Sequence, residues 1–190
     1  MKRIIMVVAA VLAVLVMDIR SGTAGQLAGV SLPDQVAVDG RTLVLNGMGL
    51  REATLLRLHV YVAGLYLEAR SSDAARILAA DDTKRLLLHF VRDVGHDSLV
   101  GAWNEGFAKN GGPALPGLRN RVETLNAWMV DVKRGDTLTF TQIPGRGVVV
   151  EVKGHAKGTL GGADFSRALW GIWLGDQPPN QKLKMGLLGS

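Results

Sequence analysis

The chain has 190 residues, 47% of them hydrophobic, and a formal net charge of +5. That is the size of one domain with ample material for a core. The basic residues are scattered and never interleave with aromatics, which excludes a nucleic-acid footprint. There is no cysteine, which removes thiol nucleophiles, zinc–cysteine sites and disulfide redox chemistry.

In chain order, Met1 to about Gly25 has the tripartite pattern of a secretory signal peptide. Lys2 and Arg3 are the basic start, Ile4 to Met17 is an unbroken apolar run, and small residues follow in Ser21-Gly22-Thr23-Ala24-Gly25. The run is shorter than the ~20 residues that span a bilayer comfortably. Thr23 and Gly25 suit cleavage ahead of Gln26. The expectation is a signal peptide over 1–25, a single domain over 26–190, and a periplasmic or secreted protein with no stable membrane span once the signal is removed. Lys2, Arg3 and Arg20 against Asp18 give the leader +2, so the mature chain stands near +3.

Gln35 to Val38, Asp39-Gly40 and Arg41 to Leu45 read as a β-hairpin, because Asp-Gly between alternating apolar runs is a strong turn signal. Asn46-Gly47 and Gly49 mark a further turn or bulge. Leu55 to Glu68 is the longest strand candidate, with a period of two. Arg57, His59, Tyr61, Ala63 and Leu65 share one face. Leu56, Leu58, Val60, Val62 and Tyr66 share the other, which is the better core face.

Ser72 to Ala80 reads as a short helix capped by Ser71 or Ser72, with Asp73 in its first turn. Lys84 to Arg92 is another strand. Asp97 or Ser98 opens a helix running to about Lys109, with Leu99, Ala102, Trp103, Gly106 and Phe107 on one stripe. Leu118 to Met129 is a further helix. Thr137 to Gln142 and Gly147 to Val152 form a hairpin, and a short strand follows near His155 to Leu160. The last helix runs from about Ala163 to Trp173, and Pro178-Pro179 ends regular structure. Strands, helices, strands and a helix, without βαβ alternation, predict an α+β fold whose mostly antiparallel sheet is covered on one side by helices.

Several kinds of chemistry lack a motif. Gly158, Gly161 and Gly162 are not followed by the Lys and Ser/Thr of a phosphate loop, and no Gly-x-Ser-x-Gly elbow exists. His59 and His89 sit on neighbouring predicted strands, but without metal-ligand spacing they read as partly exposed strand residues, so no metal and no cofactor is expected. Trp170 and Trp173 read as core packing at helical spacing rather than as a ligand platform.

One set of segments goes further. Gly47-x-Gly49-Leu50-Arg51 precedes Val62-Ala63-Gly64-Leu65-Tyr66-Leu67-Glu68. Ser72-Asp73 follows with Ala74 to Ala80, then Phe90-x-Arg92-Asp93, Trp103-Asn104-Glu105-Gly106-Phe107 and Gly135-Asp136-x-Leu138-x-Phe140. Last come Gly154, Gly158, Asp164-Phe165 and Ala168 to Gly175. In this order and spacing, over about Ser31 to Gly189, the chain resembles the chalcone isomerase-like family in its bacterial secreted branch. The resemblance implies an open-faced β-sandwich, a large antiparallel sheet packed on a layer of helices with a ligand cleft between them. It also implies that Arg51 is the cleft arginine shared by the isomerases and the fatty-acid-binding relatives.

An arginine suits either role. Its planar fork holds a carboxylate in two parallel hydrogen bonds, and it equally stabilises a phenolate or enolate oxygen. The other positions depart from the isomerase pattern. Tyr61 stands where the isomerases have a threonine, Ser98 and Glu105 near their tyrosine and asparagine, and Ile172 and Trp173 at their Thr-Met pair. The cleft is therefore expected to be rich in apolar area and poor in hydrogen bonds, lined by Arg51, Tyr61, Ser98, Glu105, Ile172 and Trp173.

The favoured expectation is a non-catalytic protein that holds a small hydrophobic or amphipathic ligand, such as a fatty acid, on Arg51. The alternatives are an isomerase closing a chalcone to a flavanone, with Arg51 and Tyr61 as its catalytic residues, and a structural or partner-binding protein whose cleft is filled by its own side chains. Nothing in the sequence fixes the oligomeric state.

Overall fold

A computed structural model describes residues 25–53 and 57–190. The signal-like segment up to Ala24 and residues 54–56, where the long strand was expected to begin, lie outside the described residues. Strands β3 (Gln35–Val38) and β4 (Arg41–Ala53) form the expected hairpin. Asp39 and Gly40 both take positive φ, 47° and 76°, the backbone that a two-residue primed turn requires. The sheet continues in chain order through β5 (Leu58–Leu67), β6 (Lys84–Phe90), β7 (Thr137–Ile143), β8 (Gly147–Val152) and β9 (His155–Leu160). Each strand pairs antiparallel with the next, giving seven strands in one meander. A small ribbon of β1 (Gln26–Leu27) and β2 (Val30–Ser31) stands apart from it.

The helices are α1 (Ala74–Ala79), α2 (His96–Asn110), α3 (Leu115–Ala127), α4 (Ala163–Leu174) and α5 (Gln181–Leu187). The first four bury Ile77, Trp103, Phe107, Leu118, Leu125 and nearly all of α4 against one face of the sheet, where Leu65, Leu86, Leu88 and Phe140 meet them. This is an α+β fold in which a large antiparallel sheet is covered by helices. Among the described residues, no helix is long and apolar enough to cross a membrane.

The structure corrects several local expectations. The cap of α1 is Asp73, whose carboxylate accepts from the Arg76 backbone N–H at 3.0 Å. Helix α2 begins at His96, and its first N–H finds a distant carboxylate, Asp131 Oδ1, at 2.8 Å. Helix α3 begins three residues early, because Pro116 falls in the first turn, where its missing N–H costs nothing.

The core face of β5 is the reverse of the one expected. Tyr61, Ala63, Leu65 and Leu67 face the helices, while Val62 and Tyr66 pack under the N-terminal strands and ribbon. From Tyr61 to Leu67 every residue is buried, so alternation carries no information about which side is the larger core. A register shift places Tyr61 opposite Arg51 and His59 opposite Glu52, leaving Val60 as the extra residue. That bulge turns Val60 onto the helix-covered side.

Helix α5 was not expected at all. It lies on β4 where that strand carries glycine. A Cβ on Gly47 would sit 2.2 Å from the Gly186 carbonyl oxygen, and one on Gly49 2.3 Å from that of Leu183. Asn46, the extra residue at a second bulge, donates from Nδ2 to the Leu187 carbonyl at 2.8 Å. Of the turn or bulge expected here, the bulge is what forms, and Gly47 and Gly49 also make a docking surface for backbone.

Candidate functional site

The bulge at Val60 sets one end of the sheet for a site. Arg51, Tyr61 and Phe90 stand opposite one another on β4, β5 and β6. Residues so paired put their side chains on the same face, with Cβ atoms roughly 5 Å apart. Here that face looks across at α2 and at Ile172 of α4, and between them is a cavity of about 410 Å³. The loop after α4 closes another side with Gln177, Pro178 and Pro179. The floor is buried and apolar, formed by Tyr61, Phe90, Leu99, Trp103, Gly106 and Ile172. The rim is exposed and mixed, with Leu58, Arg92, Ser98, Glu105, Lys109 and Gln177. The volume is within the ~300–1,000 Å³ of small-molecule sites.

Arg51 is half-buried on this cavity. Its Nη1 donates to the Glu52 carbonyl and, at 3.2 Å, to the Pro179 carbonyl. The guanidinium therefore ties β4 to the loop before α5. Asn110 fastens the same loop from α2, donating from Nδ2 to the Gln177 carbonyl and accepting from the Gln177 N–H, each at 3.1 Å. Lys184 of α5 donates to the Gly175 carbonyl at 2.9 Å.

Tyr61 is 5% exposed. Its hydroxyl oxygen accepts from the indole N–H of Trp173 at 3.0 Å. A phenol also has one hydrogen to donate, and among the described residues that hydrogen meets no acceptor. Burial pushes the Tyr61 pKa up to about 12, against smaller opposing effects of the Trp173 hydrogen bond and the Arg51 charge. The phenol is thus neutral throughout the physiological range, on a residue that lines the cavity and stands opposite Arg51.

The remaining expected site residues divide. Ile172 lines the cavity at 1% exposure. Ser98 and Glu105 line its exposed rim. Glu105 pairs with Lys109, whose hydrogen bond and charge, helped by the Arg51 charge, hold the carboxyl below its ordinary pKa. Trp173 does not line the cavity. It is wholly buried behind Tyr61, packed on Trp103 and Phe140 at centroid distances of 5.5 Å, and its contribution is to orient Tyr61. His59 lies 3.7 Å from Glu52, and His89 stands opposite Val62 rather than beside it. The cleft is open, so it is not filled by its own side chains.

Sequence reasoning missed Phe90, Trp103, Gly106 and Lys109 as lining residues, along with the Gln177–Pro179 loop. The α2 stripe that signalled a core carries Trp103 and Gly106, but nothing local tells a core stripe from a cavity floor. The loop reaches Arg51 across 128 positions of sequence.

A family model described as chalcone isomerase-like matches residues 24–189. The chain belongs to the chalcone isomerase-like family. Among solved structures, this family member is similar to the crystal structure of a fatty-acid binding protein from Arabidopsis thaliana. The match is at 20% identity and a TM-score of 0.62, covering 84% of this chain and 92% of that one. At that identity the likeness establishes the shared fold. No curated protein matches this member of the chalcone isomerase-like family.

Proposed function

We propose that this protein binds, without transforming it, a small amphipathic carboxylic acid such as a fatty acid, with its carboxylate on Arg51 and Tyr61 and its tail over the apolar floor. The observation that carries this reading is the Tyr61 hydroxyl. It is buried, its oxygen takes a hydrogen bond from Trp173, and among the described residues its own hydrogen meets no acceptor, on a residue that lines the cavity opposite Arg51. A carboxylate offers what this pair lacks, two acceptor oxygens and a negative charge. The fatty-acid binding protein from Arabidopsis thaliana, which has the same fold, supports the choice of ligand class.

The same two donors would suit a developing phenolate or enolate, so the isomerase alternative was weighed against the rest of the wall. Ser98 lies exposed on the rim, Glu105 is ionised and paired with Lys109, the Trp173 N–H is engaged by Tyr61, and Ile172 has no donor. That wall supports holding a ligand over orienting a chalcone. The basic start, apolar run and small residues of the N-terminal segment support export to the periplasm or medium. Cell fractionation together with N-terminal sequencing checks this, and a cytoplasmic protein that keeps its first 25 residues would contradict it.

Native mass spectrometry of the protein purified from its expression host tests the binding reading. A carboxylic acid should leave with wild type and be missing from Arg51→Ala. An always empty protein whose melting temperature no fatty acid shifts would overturn it.

A further inference from the structure

We propose that the mouth of the cavity is a docking surface for an anionic lipid bilayer, with Leu58 entering the interface and Arg57 and Arg92 on headgroup phosphates. The proposal goes beyond acid binding and stands without it. Among the described residues, three large apolar side chains are broadly exposed, and Leu58, at 39%, is the one that lines the cavity. It is not alone there. Ala53, Val60, Val94, Ala102 and Pro178 line the same cavity and are half-buried or exposed, so the mouth carries an apolar collar. A lone exposed leucine is ordinary, but a collar of apolar groups among polar ones marks an interaction surface.

The charge around the collar selects the occupant. Both acids that line the cavity are matched by lysines, Asp93 by Lys133 at 3.1 Å and Glu105 by Lys109. Glu52, on the strand that ends at Ala53, faces His59 at 3.7 Å. The arginines have no such match. Arg57 and Arg92 are exposed, and among the described residues neither pairs with a carboxylate. The backbone keeps both at the mouth. Arg57 immediately precedes β5, with a φ of 50°. The Val91 N–H donates to the Val60 carbonyl at 3.0 Å, which brings Arg92 out beside the start of β5.

An anionic bilayer complements both features. A guanidinium takes phosphate oxygens in pairs, and an apolar side chain beside it reaches the boundary between headgroups and acyl chains. Each arginine near such a surface adds to the attraction within about a Debye length. An amphipathic acid would then pass between bilayer and cavity without crossing water.

Sedimentation with vesicles tests this, using phosphatidylcholine with and without phosphatidylglycerol and no fatty acid. Wild type should partition onto the anionic vesicles well above the neutral ones, and salt should weaken it. Arg57→Gln and Arg92→Gln should each lower the partition coefficient about fivefold. Leu58→Ser should lower it about threefold, on both kinds of vesicle. Met185→Ser, an equally simple change on α5 and outside the cavity wall, should leave it unchanged. All variants share the N-terminus of wild type, so the fold-change reads the mouth alone. Partitioning that ignores phosphatidylglycerol, that none of the three mouth variants weakens, or that Met185→Ser weakens as much, overturns the docking surface and leaves acid binding standing. A wild type that docks as described and binds no acid keeps this surface and overturns the acid reading instead.

Discussion

The β5–β6 pair has a cation near each end of the helix-covered face, and the two have opposite fates. At one end Lys84, opposite Leu67, is 2% exposed. Its ammonium donates to the Ile77 and Ala80 carbonyls at 2.7 Å each and sits 5.6 Å from the centroid of the Trp170 ring. Those carbonyls belong to the last turn of α1 and to Ala80, which caps it, where carbonyls are left without intrahelical partners. Lys84 is a helix cap that points inward, with two of its three donors on these carbonyls and its charge over the Trp170 ring. At the other end Arg51, opposite Tyr61, is half-buried and, among the described residues, reaches only backbone carbonyls through Nη1, while a cavity opens beside it. A buried cation thus means nothing about ligands until its donors and its neighbours' donors are counted. At the Tyr61 end one hydrogen meets no acceptor among the described residues.

The largest way to break this comparison is to remove Lys84. Lys84→Met leaves two carbonyls unpaired at the end of α1, and denaturant unfolding should show a loss of about 3 kcal/mol. Acid binding by the folded fraction should be unchanged. If binding disappears while stability holds, the two ends have been assigned the wrong way round.

Arg51→Ala should do the reverse. A charge-assisted pair of hydrogen bonds to carboxylate is worth about 2 kcal/mol, or about 30-fold in affinity. The stability change should stay under about 1 kcal/mol, since the lost contacts are half-exposed backbone hydrogen bonds. Arg51→Lys should recover part of the affinity, because an ammonium keeps the charge and loses the planar fork.

Tyr61→Phe should cost about fivefold in affinity, one neutral hydrogen bond's worth. It also leaves the Trp173 N–H unpaired, so stability should fall by about 1 kcal/mol as well. The pH dependence sharpens the assignment. The folded pKa of about 12 lies above the ordinary tyrosine value of 10.0. Between those values the unfolded chain loses the Tyr61 proton first, so stability falls as pH rises from about 10 to 12. Below pH 10 the phenol is protonated in both states, and the group adds no pH dependence to acid affinity between pH 6 and 9. An affinity that falls steeply across that lower range would contradict a neutral Tyr61 donor.

The smallest effect belongs to the rim. Glu105→Gln removes a carboxylate whose ionisation the Arg51 charge helps favour, and acid affinity should rise about twofold in low salt and less in high salt. No rise at any ionic strength would place Glu105 outside the ligand's field.

How much of this was legible in the sequence varied with how local the cause was. The β3–β4 hairpin was readable because Asp39-Gly40 supplies the positive φ angles that its turn needs. The buried Trp170 was readable from helical spacing alone. Helix α5 was not, because the signal that matters is a pair of glycines on a strand more than 130 residues earlier, and their lack of side chains lets its backbone approach. The core face of β5 was misread because both faces are covered and a bulge moves Val60. In the site, Arg51, Tyr61, Ser98, Glu105 and Ile172 do line one cavity. Trp173 was placed in the cleft by its position beside Ile172. On a helix, however, adjacent residues point about 100° apart, and Trp173 faces the Tyr61 hydroxyl from behind. The Gln177–Pro179 loop was read as the end of regular structure, and no local feature says that it folds back over the arginine.

The most direct test of the account compares dodecanoate with dodecanol, titrated into wild type and into Arg51→Ala. The two ligands have the same tail, so the floor treats them alike, and only the acid offers a charge to the guanidinium. The account predicts that wild type prefers the acid by about 30-fold and that Arg51→Ala loses most of that preference. Equal affinities for acid and alcohol in wild type, or a preference that survives the loss of Arg51, would contradict it.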